Sequence, residues 1–150
     1  KQKLKILEIG TGYYGILSIS LKKKYNFSVT AIDIDPKAIE SSELNCKINN
    51  VEIKLFASNL FENINYDTFD LIFWNLPYYQ NTDDYLTGLI DQSDKYLVKD
   101  GKLILGYNTS PLKPEAIKDI VKKNKKLNYS ETVLYSWNRH AISEIHKNSS

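Results

Sequence analysis

Strand-like and helix-like stretches alternate along this chain of 150 residues, and glycines mark the first junction between them. The β-rich run Leu4–Ile9 ends at Gly10-Thr11-Gly12, and a helical stretch follows over Ile16–Tyr25. The next strand is predicted at Ser28–Asp33. Strand, glycine turn, helix and strand in this order form a βαβ unit, which places two parallel strands in one sheet.

The alternation continues to the end of the chain. It predicts a helix over about Pro36–Asn49 with Asp35 as its cap, strands at Glu52–Phe56 and Phe69–Asn75, an amphipathic helix over Asp83–Lys99 that stops at Gly101, a strand at Lys102–Tyr107, a helix over about Pro114–Lys125, and a hairpin of Tyr129–Trp137 with His140–His146. We therefore expect a three-layer α/β fold, in one domain over residues 1–150, whose mostly parallel sheet ends in an antiparallel hairpin. Ligands of such sheets bind at the carboxyl ends of the strands.

Composition excludes several classes of protein. The chain is 42% apolar and 25% charged with a net charge of +2, which is typical of a globular protein and not of a general polyanion binder. No apolar run approaches the roughly 18 residues of a membrane span, and no signal segment opens the sequence. The single cysteine, Cys46, excludes an internal disulfide and favours a reducing, cytoplasmic location. Lysine runs at Lys22–Lys24 and Lys122–Lys126 stand at predicted helix ends, where they complement the helix dipole.

The glycine turn predicts a site for a nucleotide-like ligand. Glycines let the backbone approach a ligand closely, and the helix beyond them offers free N–H groups. Asp33, at the end of the neighbouring strand, is placed to accept hydrogen bonds from a ribose diol. Ser58 or Asn59 can hydrogen-bond the edge of an adenine while Leu60 covers its face. Gly10-x-Gly12-x-x-Gly15 also matches the dinucleotide fingerprint, so an NAD-binding domain remains an alternative.

A second motif follows the central strand, at Asn75-Leu76-Pro77-Tyr78. Pro77 fixes its own φ and favours an extended Leu76, so the carbonyls of Asn75 and Leu76 point in fixed directions. An amino group with two N–H donors can bond to the Asn75 side-chain oxygen and a loop carbonyl while its planar system lies on Tyr78. The alternative is an ordinary turn at the end of a strand.

Glu8-Ile9-Gly10-Thr11-Gly12, the Asp33 strand end, Ser58-Asn59-Leu60-Phe61 and the Asn75 loop, in this order and at these intervals, resemble the class I S-adenosylmethionine-dependent methyltransferases. More narrowly, they resemble the branch with an Asn-Pro-Pro-Tyr-type loop, which methylates exocyclic amino groups of nucleobases or the amide of glutamine. The resemblance covers nearly the whole chain, and the Trp137-Asn138-Arg139-His140 turn is similar to the ending of archaeal members.

The resemblance implies a Rossmann-like class I methyltransferase sheet that binds S-adenosylmethionine and needs no metal. It implies cofactor contacts at Glu8, Gly10, Thr11, Gly12, Asp33, Ile34, Ser58 and Asn59, a catalytic loop of Asn75, Leu76, Pro77 and Tyr78, and substrate contacts at Tyr79, Trp137, Arg139 and His140. Two residues depart from the family pattern. Tyr14 stands where a further glycine is common, which predicts a shifted turn or a narrowed pocket, and Leu76 replaces a proline that contributes mainly its carbonyl.

We therefore expect methyl transfer to an exocyclic amino or amide nitrogen. Adenine N6 in RNA is placed ahead of glutamine N5 in a protein, because Trp137, Arg139 and His140 lie beside the predicted site; Arg139 and the lysine-rich helix ends would then hold flanking phosphates. Packing within the hairpin is the alternative for that trio. An oxidoreductase domain that binds NAD and a non-catalytic subunit that needs a protein partner remain open, as does a further N-terminal segment outside this sequence.

Overall fold

A computed structural model describes residues 3–65, 67–77, 83–135 and 139–148. In chain order its elements are β1 (Lys5–Ile9), α1 (Ile16–Tyr25), β2 (Ser28–Asp33), α2 (Pro36–Ile48), β3 (Lys54–Ala57), β4 (Phe69–Asn75), α3 (Asp83–Tyr96), β5 (Leu97–Asn108), α4 (Pro114–Lys123), β6 (Leu127–Tyr135) and β7 (His140–Lys147). The alternation predicted from the sequence is therefore confirmed.

The strands form one sheet of 7 strands in the order β3-β2-β1-β4-β5-β7-β6. Neighbours from β3 to β5 pair in parallel, whereas β7 runs antiparallel to both β5 and β6. The sheet is thus mostly parallel with an antiparallel hairpin at one edge, as predicted. Its chain order reverses between β1 and β4, and such a switch point opens a crevice at the carboxyl ends of the strands.

Helices cover both faces of the sheet. α3 and α4 pack on one face, where Leu86, Leu89 and Ile117 belong to the same buried cluster as Ile72 and Leu105. α1 and α2 contact β2 and contribute buried residues that lie outside this cluster. Burial of these apolar side chains is the main favourable term in the folding free energy.

Local signals account for the start of α2. The Asp35 side chain accepts a hydrogen bond from the backbone N–H of Lys37 at 2.9 Å, and Pro36 occupies the first helical turn. An acidic cap satisfies an N–H that has no partner within the helix, and proline fits where its missing N–H is not needed. Both features were predicted from the sequence.

The predicted boundary between α3 and β5 is wrong. Gly101 does not end a helix, because α3 ends at Tyr96 and β5 begins at Leu97. Leu97 is buried and pairs with Phe69, and the ladder resumes at Lys102 opposite Leu71, so the intervening residues form an irregular bulge. Pairing between distant strands therefore overrides the glycine signal.

The predicted third strand is also shifted. It was expected at Glu52–Phe56, but pairing with β2 begins at Lys54 opposite Thr30 and continues to Ala57 opposite Asp33. The end of β3 therefore lies level with the end of β2, so Ser58 follows directly at the carboxyl edge of the sheet.

Within the described ranges no helix is long and apolar enough to cross a membrane. The same ranges contain no cluster of three or more histidine, cysteine, aspartate or glutamate side chains suited to a metal ion.

The buried cluster beneath α3 and α4 predicts where stability is concentrated. Leu105 is fully buried, so Leu105→Ala should lower the free energy of unfolding by about 2–5 kcal/mol through lost burial and a residual cavity. Val133, in β6 of the same sheet, is 42% exposed, and Val133→Ala should cost about 1 kcal/mol or less. Urea denaturation of both variants checks this difference, and equal losses would contradict the assignment of the core.

Candidate functional site

Strand register brings the predicted motifs together at the carboxyl ends of the parallel strands. Ile9 of β1 pairs with Ile32 of β2 on one side and with Trp74 of β4 on the other. The next residues along the three strands are Gly10, Asp33 and Asn75, so they lie level with one another. A cavity of about 410 Å³, here called the edge cavity, opens at this level; it is lined by Ile9, Gly10, Gly12, Tyr13, Asp33, Ile34, Asp35, Ser58, Asn59, Leu60, Trp74, Asn75, Pro77 and Tyr85.

The glycine turn needs its glycines for two different reasons. Gly10 and Gly12 both have a φ of 66°, a region that side chains rarely adopt. A Cβ on Gly10 would lie 2.9 Å from Nε1 of Trp74, whereas a Cβ on Gly12 would meet nothing within 4 Å. Gly10 therefore lets the indole pack against the turn, and Gly12 leaves open space beside the backbone.

The departure at Tyr14 is accommodated by a shifted turn. The third left-handed glycine is Gly15, with a φ of 59°, and it precedes α1 directly. A Cβ on Gly15 would come within 3.2 Å of the Ser42 hydroxyl in α2. The shift therefore keeps α1 and α2 in close contact.

Asp33 ties the glycine turn to the loop after β2. Its Oδ2 accepts the N–H of Gly12 at 2.9 Å, and its Oδ1 accepts the N–H of Asp35 at 3.0 Å. A carboxylate has about four acceptor positions, so each oxygen retains a lone pair for another donor. The geometry is therefore compatible with the predicted ribose contact.

The loop after β3 forms another side of the edge cavity. Ser58 donates through its hydroxyl to the Leu60 carbonyl at 2.9 Å and accepts the Asn63 N–H at 3.1 Å, so it mainly shapes the loop. Asn59 donates to Glu62 at 2.9 Å, while its Oδ1 is buried without a hydrogen-bond partner in the described part of the chain. An orphaned acceptor of this kind costs about 1–3 kcal/mol, which a donor from a ligand can recover. Ile34 is 58% exposed beside it.

Glu8 in β1 and Thr11 in the glycine turn do not line the edge cavity. Glu8 is only 4% exposed and accepts hydrogen bonds from the hydroxyls of Thr11 and Ser18. Burial raises the pKa of its carboxyl, and these hydrogen bonds oppose the rise. The hydrogen bond between them ties the turn to β1, and the predicted contact of both residues with a cofactor stays a prediction.

Asn75 ends β4 and lies over β5. A Cβ on Gly106 would come within 3.1 Å of the Asn75 Oδ1, so the glycine makes room for this amide. Leu76 donates its N–H to the Gly106 carbonyl at 2.8 Å and buries its side chain, which fixes the start of the loop. Pro77 lines the edge cavity, whereas Tyr78 and Tyr79 lie outside the described residues.

A second depression adjoins Asn75 on its other side. This apolar groove has a volume of about 250 Å³ and is lined by Leu17, Phe73, Trp74, Asn75, Ile104, Gly106, His140, Ala141 and Ile142. Only Trp74 and Asn75 border both the groove and the edge cavity among their described lining residues. Asn75 therefore lies at the junction of two spaces.

The turn of the hairpin lies at the same end of the sheet as Asn75, beside the carboxyl end of β5. The Arg139 carbonyl accepts the Thr109 N–H at 2.7 Å, and its guanidinium donates to the Ser110 hydroxyl at 3.3 Å. His140 lies opposite Asn108 and lines the apolar groove. Trp137 lies outside the described residues. Arg139 and His140 are thus near Asn75 in the fold but do not line the edge cavity.

The sequence did not single out several residues that line the edge cavity. Tyr13 donates through its hydroxyl to Oδ2 of Asp35 at 2.6 Å, so Asp35 is more than a helix cap. Trp74 packs against Gly10, and Tyr85 reaches the cavity from α3. The positions of Tyr13 beside Gly12 and of Trp74 beside Asn75 were available signals, whereas nothing in the sequence pointed to Tyr85.

The edge cavity is acidic. Its described lining includes the carboxylates of Asp33 and Asp35 and contains no lysine or arginine. Such a wall favours a neutral or cationic nucleoside and opposes the negative charge of a pyrophosphate.

The lysine runs lie at the amino ends of the strands, on the far side of the molecule from the edge cavity. Lys22 donates to the Phe27 carbonyl just before β2 begins, and Lys126 pairs with Asp94 at 3.2 Å just before β6 begins. Because α1 and α4 run antiparallel to the strands that they connect, their C-terminal lysines lie at the amino ends of the strands. The expectation that they hold phosphates beside Asn75 is therefore wrong.

Comparison with known proteins agrees with this geometry. A family model described as the methyltransferase small domain matches residues 1–134, and the chain belongs to this family. The resemblance to class I S-adenosylmethionine-dependent methyltransferases is thereby confirmed. A solved methyltransferase structure from Pyrococcus furiosus has the same fold, with a TM-score of 0.85 over 100% of this chain and 77% of that one at 24% identity.

Curated relatives differ in substrate. The chain is 39% identical over 106 residues to a Methanocaldococcus jannaschii protein named as a candidate protein N5-glutamine methyltransferase, covering 67% of this chain and 50% of that protein. It is 36% identical over 102 residues to the ribosomal RNA small subunit methyltransferase C of Buchnera aphidicola, covering 65% and 31%. The chain thus spans half or less of the length of these relatives.

The two glycines of the turn should respond differently to substitution. Gly12→Ala should lower the free energy of unfolding by about 1–2 kcal/mol, the cost of a left-handed non-glycine residue. Gly10→Ala should cost more, because its Cβ would also lie 2.9 Å from Nε1 of the packed Trp74. Urea denaturation of both variants measures this, and equal losses would contradict the role given to the indole.

The buried Glu8 carboxyl should make stability depend on pH. Because burial raises its pKa, the folded protein holds this proton more tightly than the unfolded chain does. That contribution is complete below the ordinary pKa of 4.5 and is lost as the pH rises through the folded-state pKa. The free energy of unfolding of the wild type, relative to that of Glu8→Gln, should therefore fall over this window. Urea denaturation at a series of pH values checks it; a constant difference would refute it.

Proposed function

We propose that this chain transfers the methyl group of S-adenosylmethionine to the nitrogen of an amide or exocyclic amino group. The observation that carries the proposal is the position of Asn75, which borders both the edge cavity and the apolar groove. A nucleoside cofactor in the first space and a substrate in the second would meet at this side chain.

The hydrogen-bond acceptors, the apolar surface and the charge of the edge cavity all suit the cofactor. Asp33 retains acceptor capacity for a ribose diol, and the orphaned Oδ1 of Asn59 suits the amino group of an adenine. Ile34 offers an apolar surface beside that adenine. The acidic wall favours a sulfonium cation and disfavours NAD, so the oxidoreductase alternative is set aside.

The chemistry requires alignment more than acid or base catalysis. Bound S-adenosylmethionine would supply an electrophilic methyl group on a positively charged sulfur. The substrate nitrogen would form the new N–C bond as the S–C bond breaks, S-adenosylhomocysteine would leave, and the nitrogen would then lose one proton to water. Asn75 would accept one N–H of the substrate through its side-chain oxygen, and the carbonyl of Leu76 or Asn75 would accept the other. These bonds favour a pyramidal, more nucleophilic nitrogen and hold it in line, and orientation can supply roughly 7–11 kcal/mol in favourable cases. Tyr78 is proposed as the stacking residue from its place in the motif.

A glutamine side chain in a protein is the substrate that we favour. The apolar groove, which lies between Asn75 and the hairpin, suits the apolar part of such a side chain. The lysine runs lie at the amino ends of the strands, where they cannot hold RNA beside Asn75. The Methanocaldococcus jannaschii relative is named for glutamine methylation. An amide nitrogen satisfies the same pair of acceptors as an adenine amino group.

Adenine N6 in RNA is the second candidate. Arg139 and Lys113 both hydrogen-bond the loop that follows β5, with Arg139 on Ser110 and Lys113 on the Thr109 carbonyl at 2.6 Å. These two cations lie on the Asn75 side of the sheet and suit the phosphates that flank a flipped base. The Buchnera aphidicola relative is named for RNA methylation.

The proposal predicts a separation between binding and turnover. Asn75→Ala should lower methyl transfer about 10²- to 10³-fold, because it removes a preorganised acceptor, while S-adenosylmethionine affinity changes little. Isothermal titration calorimetry measures affinity. Transfer is measured with methyl-labelled cofactor, using glutamine-containing peptides and single-stranded RNA in parallel.

Asn128→Ala is the matched control, since Asn128 is exposed near the amino edge of the sheet. It should match the wild type in both assays. Full activity of Asn75→Ala would contradict the proposed clamp, and binding of NAD in place of S-adenosylmethionine would overturn the function. Transfer of the labelled methyl group to RNA but not to the peptides would favour adenine N6 in RNA as the substrate.

A further inference from the structure

A hydrogen bond joins two side chains that line the edge cavity, those of Tyr13 and Asp35. Tyr13 follows Gly12, Asp35 lies in the loop after β2, and both line the cavity. The Tyr13 hydroxyl donates to Oδ2 of Asp35 at 2.6 Å. This pair, here called the Tyr13–Asp35 strap, therefore bridges the two loops on either side of Asp33, the proposed ribose acceptor.

Each end of the strap is held by α2. Oδ1 of Asp35 caps the helix through Lys37, which leaves Oδ2 in a fixed position for Tyr13. The Tyr13 carbonyl accepts a hydrogen bond from Nδ2 of Asn45 at 3.2 Å. The phenol is thus positioned by contacts at its backbone and at its hydroxyl, although the residue is 49% exposed.

The strap is redundant for holding the two loops together. Asp33 already joins them by accepting the N–H groups of Gly12 and Asp35. Ser42 adds a hydrogen bond to the Gly12 carbonyl at 2.7 Å. What the strap adds is a ring fixed at the rim of the cavity, and this points to a role toward the ligand.

We propose that Tyr13 is a cofactor-positioning residue whose ring, held by Asp35, covers the ribose end of the bound nucleoside and slows its release. The inference rests on the proposed function, because it takes the occupant of the edge cavity to be S-adenosylmethionine or its product. The hydrogen bond raises the pKa of Tyr13 and lowers the pKa of Asp35, so at neutral pH the phenol is protonated and donates to an ionised carboxylate.

Dissociation kinetics of S-adenosylhomocysteine test the strap. Stopped-flow tryptophan fluorescence provides the signal, since Trp74 lines the edge cavity. Tyr13→Phe removes only the hydroxyl, and Asp35→Ser retains a helix cap but loses the second oxygen. Each variant should release the ligand about three- to tenfold faster, the effect of losing one exposed hydrogen bond. Asp35→Ser also removes a carboxylate of the acidic wall, so the comparison is made on that background: the double variant should be no faster than Asp35→Ser alone, because both changes break the same bond.

Tyr14→Phe is the matched control. Tyr14 is adjacent, 69% exposed and not among the residues that line the cavity, so its variant should release the ligand at the wild-type rate. Loss of one exposed hydrogen bond should lower the melting temperature of the ligand-free Tyr13→Phe protein only slightly. Tyr13→Phe should raise KM for S-adenosylmethionine while kcat stays unchanged.

Two results would overturn the strap while leaving the proposed function intact: a wild-type release rate in Tyr13→Phe, or additive effects of Tyr13→Phe and Asp35→Ser. A wild-type protein that binds neither S-adenosylmethionine nor S-adenosylhomocysteine contradicts the proposed function itself, and the strap with it.

Discussion

Pairing of β1 with two parallel neighbours is the constraint on which the rest of the structure depends. Ile9 lies opposite Ile32 and Trp74 at once, so the residues that follow on β1, β2 and β4 emerge at one level. The glycine turn, Asp33 and Asn75 consequently share one crevice, although they are far apart in the sequence. A slip of either pair by one residue would turn alternate side chains to the other face and separate them.

The same topology divides the charges of the molecule. Asp33 and Asp35 lie at the carboxyl ends of the strands, around a cavity whose described lining contains no lysine or arginine. α1 and α4 run antiparallel to the strands, so the lysines at their C-termini lie at the amino ends of the strands. Helix dipoles stabilise the lysines where they are. A nearly neutral chain therefore has an acidic cavity at the carboxyl ends of its strands, whereas its lysine runs lie at the amino ends.

Local signals in the sequence predicted much of the fold. α1 has the predicted bounds of Ile16–Tyr25, and Asp35 with Pro36 begins α2, because caps and prolines act within a few residues. Prediction failed where distant strands decide, as at Gly101, which looks like a helix stop but lies within β5. The end of α3 is set instead by Leu97 pairing with Phe69.

The sequence predicted those parts of the candidate site that lie in recognisable motifs. Asp33, Asn59 and Asn75 were singled out because each lies at or just after the end of a predicted strand, and all three line the edge cavity. The hydrogen bond between Tyr13 and Asp35 joins side chains from separate loops, which no local pattern reveals. The most direct test is a crystal structure of the chain with S-adenosylhomocysteine. It should show the ribose on Asp33 and the sulfur facing Asn75; a nucleoside bound outside the edge cavity, or with its sulfur turned away from Asn75, would contradict the proposed site.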